Sequence, residues 1–225
     1  MKINKLFGVE GAKKAEGISV VIDIFRAATV EAFLLDKGVK EILPVATSDE
    51  AFKLKNENSS FLLCGEDHGY KIEGFDLDNS PFEISKMETL QGKTIVHRSS
   101  SGTQGLVNAE RSNKVIFGSF VVASAITKYL LSQNPHSCSI IAMDGPDTED
   151  EVFADYLISK LKNEGTKDIK DITEYLSNHH AAKRFLDPSI TEFPKEDFYL
   201  SMDVDRFDFI PLVQDKKVIR YDIPK

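Results

Sequence analysis

The stretch at residues 20–29, VVIDIFRAAT, constrains this chain more than any other. An apolar run, residues 18–22 with Ser19 inside it, ends on a carboxylate, Asp23, and Arg26 follows before small residues and a helical apolar pattern. A short apolar run bounded by a polar turn reads as a buried strand. A strand that runs straight into a helix start belongs to an open α/β sheet, where ligands gather beyond the carboxyl ends of the strands. A carboxylate and a guanidinium placed together there point to chemistry on a metal-bound anion.

The alternation continues along the chain. Strands are expected at residues 18–23, 41–45, 61–64, 93–97, 114–117 and 137–143, and helices at 26–36, 103–110, 121–131 and 149–162. Ser48 is the expected cap of a further helix bearing Ala51 and Phe52, and Ser119 the cap of the helix at 121–131. Residues 1–17, interrupted by Gly8, Gly11 and Gly17, read as an irregular lead-in. Residues 165–185 read as helical, and 198–202 and 217–221 as two short strands. This pattern implies a single α/β domain over residues 1–225, a three-layer α/β/α sandwich around a largely parallel or mixed central sheet.

Composition narrows the partners. Hydrophobic residues make up 41% of the 225, enough for a core, and the formal net charge is −8. An acidic surface argues against nucleic acid and anionic membrane, but local arginines can still hold a small anionic phosphate-ester substrate. The N-terminus shows no signal pattern and no apolar run reaches membrane-spanning length, so a cytoplasmic protein is expected. Cys64 and Cys138 lie outside any CxxC and read as buried free thiols. Self-association into a homo-oligomer is compatible with these features.

Four loops follow expected strand ends: residues 23–26, 65–81, 98–103 and 144–150. In a parallel sheet these ends share one edge, so the loops converge. Three bring acids: Asp23, Glu66, and the set Asp144, Asp147, Glu149 and Asp150. The fourth brings Ser99, Ser100, Ser101, Gly102 and Thr103 ahead of a helix start. Carboxylate oxygens suit Mg²⁺, a hydroxyl-rich turn at a helix start suits an anion, and Arg26 and Arg98 offer paired donors to charged substrate groups. Plain structural readings stand beside these. Thr148 with Glu151 fits a capping box; Glu149 and Asp150 are then first-turn acids facing the helix dipole, and spacing alone favours that reading. Asn79, Ser80 and Pro81 fit a turn, His97 a satisfied buried histidine, His179 and His180 surface positions, and residues 162–171 a solvated face. The chain has no GxxxxGK[ST], no GxGxxG after its first strand and no GxSxG. Two residues after Asp23 stands Phe25, not the second acid a haloacid-dehalogenase type phosphatase would need.

Taken in order, VVIDIFRAAT, GVKEILPV, CGEDHGYKIEGFDLDNSP, SSSGTQG, VIFGSFVVASAIT and the TED opening the late helix resemble the 2-phosphosulfolactate phosphatase family over roughly residues 18–162. The resemblance implies a magnesium-dependent phosphatase on an α/β/α sandwich that converts 2-phospho-3-sulfolactate to 3-sulfolactate and phosphate, a step toward coenzyme M biosynthesis. It places the shared acids on Asp23, Glu66, Glu149 and Asp150 as metal ligands, with Asp23, Arg26, Glu66 and Asp150 in the catalytic set. It places further site residues on Asn79, Ser80, Gly102 and Thr103. Ser99, Ser100 and Ser101 join these from the anion loop, with Arg98 as the candidate for the substrate's carboxylate or sulfonate. Many members read Thr-Thr-Asn-Gly-Thr where this chain has Ser100, Ser101 and Gly102 before Thr103, and many have an asparagine near Val122. That altered loop motivates the alternative, a non-catalytic binding protein for a small anionic ligand on the same fold. Attack by Asp23 itself and attack by water are both open at this level.

Overall fold

Residues 18–22 form the strand that the apolar run announces, and each is buried; burial on both faces requires helices on both sides of the sheet. The computed structural model describes residues 1–224. In chain order the elements are β1 (Lys2–Phe7), α1 (Gly8–Lys14), β2 (Gly17–Ile22), α2 (Ala27–Asp36), β3 (Glu41–Val45), α3 (Ser48–Glu57), β4 (Leu62–Asp67), β5 (Tyr70–Lys71) and α4 (Pro81–Ser85). They continue with β6 (Thr94–Arg98), α5 (Gly102–Asn108), β7 (Ser112–Gly118), α6 (Ala123–Gln133), β8 (Ser137–Ala142), α7 (Glu149–Lys162), α8 (Ile169–Ser177), α9 (Lys183–Leu186), α10 (Lys195–Ser201), β9 (Phe209–Gln214) and β10 (Lys217–Asp222). The result is a three-layer α/β/α sandwich around a mixed sheet of order β1-β8-β2-β7-β9-β10-β3-β6-β4-β5.

The sheet consists of two parallel blocks joined by an antiparallel hairpin. β1, β8, β2 and β7 run parallel, as do β3, β6 and β4. Between them, β9 pairs antiparallel with β7, β10 with β9, and β3 with β10. Three reversals in succession make the blocks opposite in sense. The expectation that the polar loops meet because all strand ends share one edge of a parallel sheet is therefore corrected. The loops do meet, but through the contacts described below.

Four local expectations change for identifiable reasons. Residues 2–14 are regular: β1 pairs with β8 from Lys2↔Ser137 to Phe7↔Ala142, and α1 follows with Gly11 and Ala12 buried. β9 hides behind Pro211, which a strand interior disfavours; its ladder to β7 covers only Val213 and Leu212, so Pro211 lies beyond it. Residues 198–201 close helix α10, whose Phe198 is fully buried and packs on Phe25 at 5.5 Å between ring centroids. The cap of α3 is Thr47, not Ser48: the Thr47 hydroxyl accepts Glu50 N–H, and the Glu50 carboxylate accepts Thr47 N–H. Cys64 and Cys138 are buried free thiols, and burial pushes the Cys138 thiol up to about 12.

Gly65 lies in the buried part of β4. Its φ is +148°, and a Cβ there would stand 2.0 Å from the Arg98 carbonyl oxygen, on the neighbouring strand to which Gly65 is paired. Gly65→Ala is expected to cost about 2–4 kcal/mol, lowering Tm by roughly 5–15 °C for a chain of this size. Thermal melting by circular dichroism reads the change, and an unaltered Tm would show that the β4–β6 pairing yields freely.

Candidate active site

The ends of β2 and β8 are fastened by one carboxylate. Asp150, in the first turn of α7, accepts Ile24 N–H on Oδ1 at 2.8 Å, and Met143 N–H and Asp144 N–H on Oδ2 at 3.1 Å each. Asp150 thus braces the backbone that presents Asp23 and Asp144. Asp23 itself is anchored on one side, its Oδ1 accepting Ala27 N–H at 3.0 Å. Its Oδ2 faces Gly102, where a Cβ would stand 2.6 Å away. Only glycine lets the start of α5 approach the acid so closely.

The capping box expected of Thr148 and Glu151 does not form. The Thr148 hydroxyl donates to Gly145 O, and Glu151 accepts Asp147 N–H. Glu149 and Asp150 are first-turn acids of α7 as that reading has it, but they are buried, at 2% and 0% exposed.

Glu66, at the end of β4, joins two loops. Its carboxylate accepts Ser100 N–H at 2.5 Å, the Ser100 hydroxyl at 3.1 Å, and Gly69 N–H. Arg98 reinforces this junction by donating to Glu66 O, to Asp67 Oδ1 at 2.9 Å and to Ser100 Oγ at 3.3 Å. Ser99 and Thr103 close on each other, each backbone N–H donating to the other's hydroxyl at 2.9 Å.

Arg26 is 3% exposed. It donates to Asp197 Oδ2 at 2.8 Å and to Gly69 O at 2.7 Å. The second oxygen of Asp197 accepts the Ser80 hydroxyl at 2.7 Å and Phe82 N–H at 2.9 Å. Beside this pair runs a buried relay: Glu31 Oε1 lies 2.8 Å from His97 Nδ1, and His97 Nε2 lies 3.0 Å from Asn79 Oδ1. His97 is thus the satisfied buried histidine expected. With Nε2–H donating to Asn79 Oδ1, the Asn79 amide N–H₂ is left for the cavity that Asn79 lines. Burial holds the Glu31 carboxyl above its usual range, even though the His97 contact opposes the shift.

These groups enclose a cavity of about 210 Å³, below the roughly 300–1,000 Å³ of sites for drug-sized ligands. Of the residues expected in the site, Asp23, Arg26, Glu66, Asn79, Ser100 and Ser101 lie on its wall, joined by Phe25, His68, Gly69, Asp144 and Arg184. Glu149 lines an adjoining cavity of about 580 Å³, which shares Asp144 and Arg184 with the first. Ser80, Arg98, Ser99, Gly102, Thr103 and Asp150 are absent from both walls and act behind them. A larger cleft of about 750 Å³ between α3, α5, β7 and β9 has no arginine, histidine or buried acid on its walls and offers no comparable chemistry.

The cavity is electrostatically frustrated. Burial first, then the nearby Asp144, Glu66 and Glu149 carboxylates, raises Asp23 well above the usual range, against the pull of Ala27 N–H. Burial and its acidic neighbours do the same to Asp150. Burial and Asp144 push Glu149 up to about 7, with Arg184 opposing. Among the described residues no three His, Cys, Asp or Glu side chains already stand as a ligand cluster. Magnesium, however, usually takes one or two carboxylates and completes its shell with water and substrate phosphate. One or two of Asp23, Glu66 and Asp144, hard oxygen donors on one wall, have the chemistry for that.

Sequence reasoning missed three residues that matter here. Asp197 lies just before the run at 198–202 that reads as a strand, and Arg184 lies in a helical stretch with no motif around it. Glu31 looks like an ordinary position in α2. Only the contacts single them out.

A family model described as 2-phosphosulpholactate phosphatase matches residues 7–216 of the chain. A probable 2-phosphosulfolactate phosphatase of Carboxydothermus hydrogenoformans is 41% identical over 177 residues, covering 76% of this chain and 72% of that protein. One from Caldicellulosiruptor saccharolyticus is 40% identical over 54% of this chain and 50% of its own length. One from Thermoplasma acidophilum is 33% identical over 90% of this chain and 89% of its own.

The raised acids fix the sign of a pH effect. An acid whose folded pKa exceeds its unfolded value contributes stability that is full below the unfolded pKa and is lost as pH rises through the folded one. For Glu149 that window runs from 4.5 to about 7. Without divalent cations, lowering the pH from 8 to 6 is expected to add about 1 kcal/mol through this group, or roughly 2–4 °C in Tm. Glu149→Gln is expected to flatten the dependence. A Tm that falls on acidification across this interval would contradict the buried-acid picture.

Proposed function

This chain belongs to the 2-phosphosulfolactate phosphatase family, and on that premise we propose that it is a magnesium-dependent phosphatase that hydrolyses 2-phospho-3-sulfolactate to 3-sulfolactate and phosphate. The observation that supports this most is the meeting of Asp23, Glu66 and Asp144 with Asn79, Ser100 and Arg26 on the wall of one small cavity. Asp23 is buried and held above the usual carboxylate range by burial and by the Asp144, Glu66 and Glu149 carboxylates, a cost that a cation beside it relieves, and a phosphoryl group brings charge that such a cation neutralises.

In this reading one or two of Asp23, Glu66 and Asp144 would hold Mg²⁺, which when bound would polarise the phosphoryl oxygens and offset the charge that grows on them. The chain's own groups do the rest. The Asn79 amide, oriented by His97, donates to a phosphoryl oxygen, as do polar groups of Ser100 and Ser101. Such preset donors act where charge develops in the transition state. Water attacks the phosphorus, the bond from phosphorus to the ester oxygen breaks, and Asp23, ionised once a cation offsets the neighbouring acids, accepts a proton from the attacking water. The departing alkoxide is protonated at the open side of the cavity, where His68 is exposed. The non-catalytic alternative rested on the altered 99–103 loop, yet that loop still lays Ser100 and Ser101 along the wall and allows Gly102 to approach Asp23.

Phosphate release from 2-phospho-3-sulfolactate in the presence of Mg²⁺ is the direct assay. Asp23→Asn is expected to lower kcat by roughly 10²–10⁴-fold while keeping or raising Tm, since an acid buried beside other acids is replaced by a neutral side chain of the same shape. Retention of more than a third of the wild-type rate would remove Asp23 from the chemistry. Mg²⁺ is expected to raise the Tm of the wild-type protein at pH 8 and to raise that of Asp23→Asn much less. Equal shifts in the two proteins would place the cation elsewhere.

A further inference from the structure

Two guanidinium groups stand on the wall of the smaller cavity, and they differ in one respect. Arg26 is neutralised by Asp197. Arg184 has no ion pair and no side-chain hydrogen bond among the described residues, yet it is held in place. Its guanidinium lies 5.0 Å from the Phe193 ring centroid and 5.4 Å from that of Phe185, a stacking that suits arginine and orients its donors. Both rings are buried. Gly69 leaves the space the side chain fills, for a Cβ there would stand 2.7 Å from Arg184 Nη1.

Its position matters as much as its freedom. Arg184 and Asp144 line both cavities. The first, of about 210 Å³, is rich in acids and suits a cation with a phosphoryl group. The second, of about 580 Å³, is lined by exposed Lys183 and His180 and by the acids Asp144, Glu149 and Asp187. An oriented guanidinium with unfilled donors, at the junction of a phosphoryl-sized cavity and a roomier one that also carries Lys183, matches a ligand with two anionic ends. Planar, paired donors are the arrangement that oxyanions such as carboxylate and sulfonate accept best.

We propose that Arg184 is a specificity residue that holds the second oxyanion, sulfonate or carboxylate, of a substrate whose phosphoryl group occupies the smaller cavity. This rests on the phosphatase reading for the placement of the phosphoryl group. It assigns to α9, a four-residue helix with no motif in its sequence, the task of choosing among phosphate esters. Arg98, the sequence-level candidate for this role, is already engaged with Glu66, Asp67 and Ser100 and lies behind the wall.

The test is binding by calorimetry of 3-sulfolactate, lactate and inorganic phosphate to the full-length protein with Mg²⁺, in wild type, Arg184→Gln, Arg184→Lys and Lys183→Gln. Arg184→Gln is expected to weaken 3-sulfolactate roughly 10- to 100-fold, the scale of a lost charged hydrogen bond, and to leave phosphate within about threefold. Arg184→Lys is expected to fall between, because the charge remains and the fork is lost. Loss confined to 3-sulfolactate identifies the sulfonate as the group held; an equal loss for lactate identifies the carboxylate. The proposal is overturned if Arg184→Gln binds 3-sulfolactate as the wild type does, if phosphate weakens as much as 3-sulfolactate, if Lys183→Gln has an equal effect, or if the wild type binds no 3-sulfolactate. A wild type that binds 3-sulfolactate but releases no phosphate from its phosphate ester would overturn the hydrolase reading and leave the Arg184 assignment standing.

Discussion

The buried ion pair between Arg26 and Asp197 holds the site together. It joins residues 171 apart in sequence, with side chains 2% and 0% exposed. Asp197 also receives the Ser80 hydroxyl and Phe82 N–H, so the β2–α2 turn, the start of α4 and α10 all meet at one carboxylate. Burial tends to raise the Asp197 pKa, and Arg26 and these donors oppose that shift. Such a pair adds little net stability over an apolar substitute, but removing one partner strands a buried charge at about 3–5 kcal/mol. Its value is positional: it sets where Arg26 and the 79–82 segment stand.

A second layer of support lies behind the acids. Asp150 ties the ends of β2 and β8 through three backbone N–H groups, and Glu66 ties the 65–69 turn to the 98–101 loop. The Glu31–His97–Asn79 relay orients an amide from beneath. Groups that form the wall are thus held by groups that do not, as preorganised sites require. The cost appears as buried acids with raised pKa values, a strain on the folded state that a site relieved by a bound cation can tolerate.

The sheet supplies the frame in a way its parallel segments conceal. Because β9 and β10 sit between β7 and β3, the two parallel blocks oppose each other. Loops from both blocks reach the same cavity through the Glu66–Ser100, Arg26–Gly69 and Arg26–Asp197 contacts. The C-terminal third, which has no motif of its own, therefore contributes the central hairpin, Asp197 and Arg184.

What the sequence by itself determined is local and periodic. Apolar runs in β2, β6 and β8, the helical pattern of α7 and the acids at strand ends are written in side-chain order, because strand and helix periods depend on neighbours within a few residues. From these the α/β class and a set containing Asp23, Arg26 and Glu66 could be read, while Asn79 read as a turn and entered the site only through the family resemblance. Only the tertiary structure decided which of those groups face the cavity and which brace it, that the first-turn acids Glu149 and Asp150 are buried, that Pro211 lies within a central strand, and that Asp197 and Arg184 belong to the site. Those outcomes depend on contacts between residues up to 171 positions apart, and no local pattern encodes which distant partner a buried charge will meet.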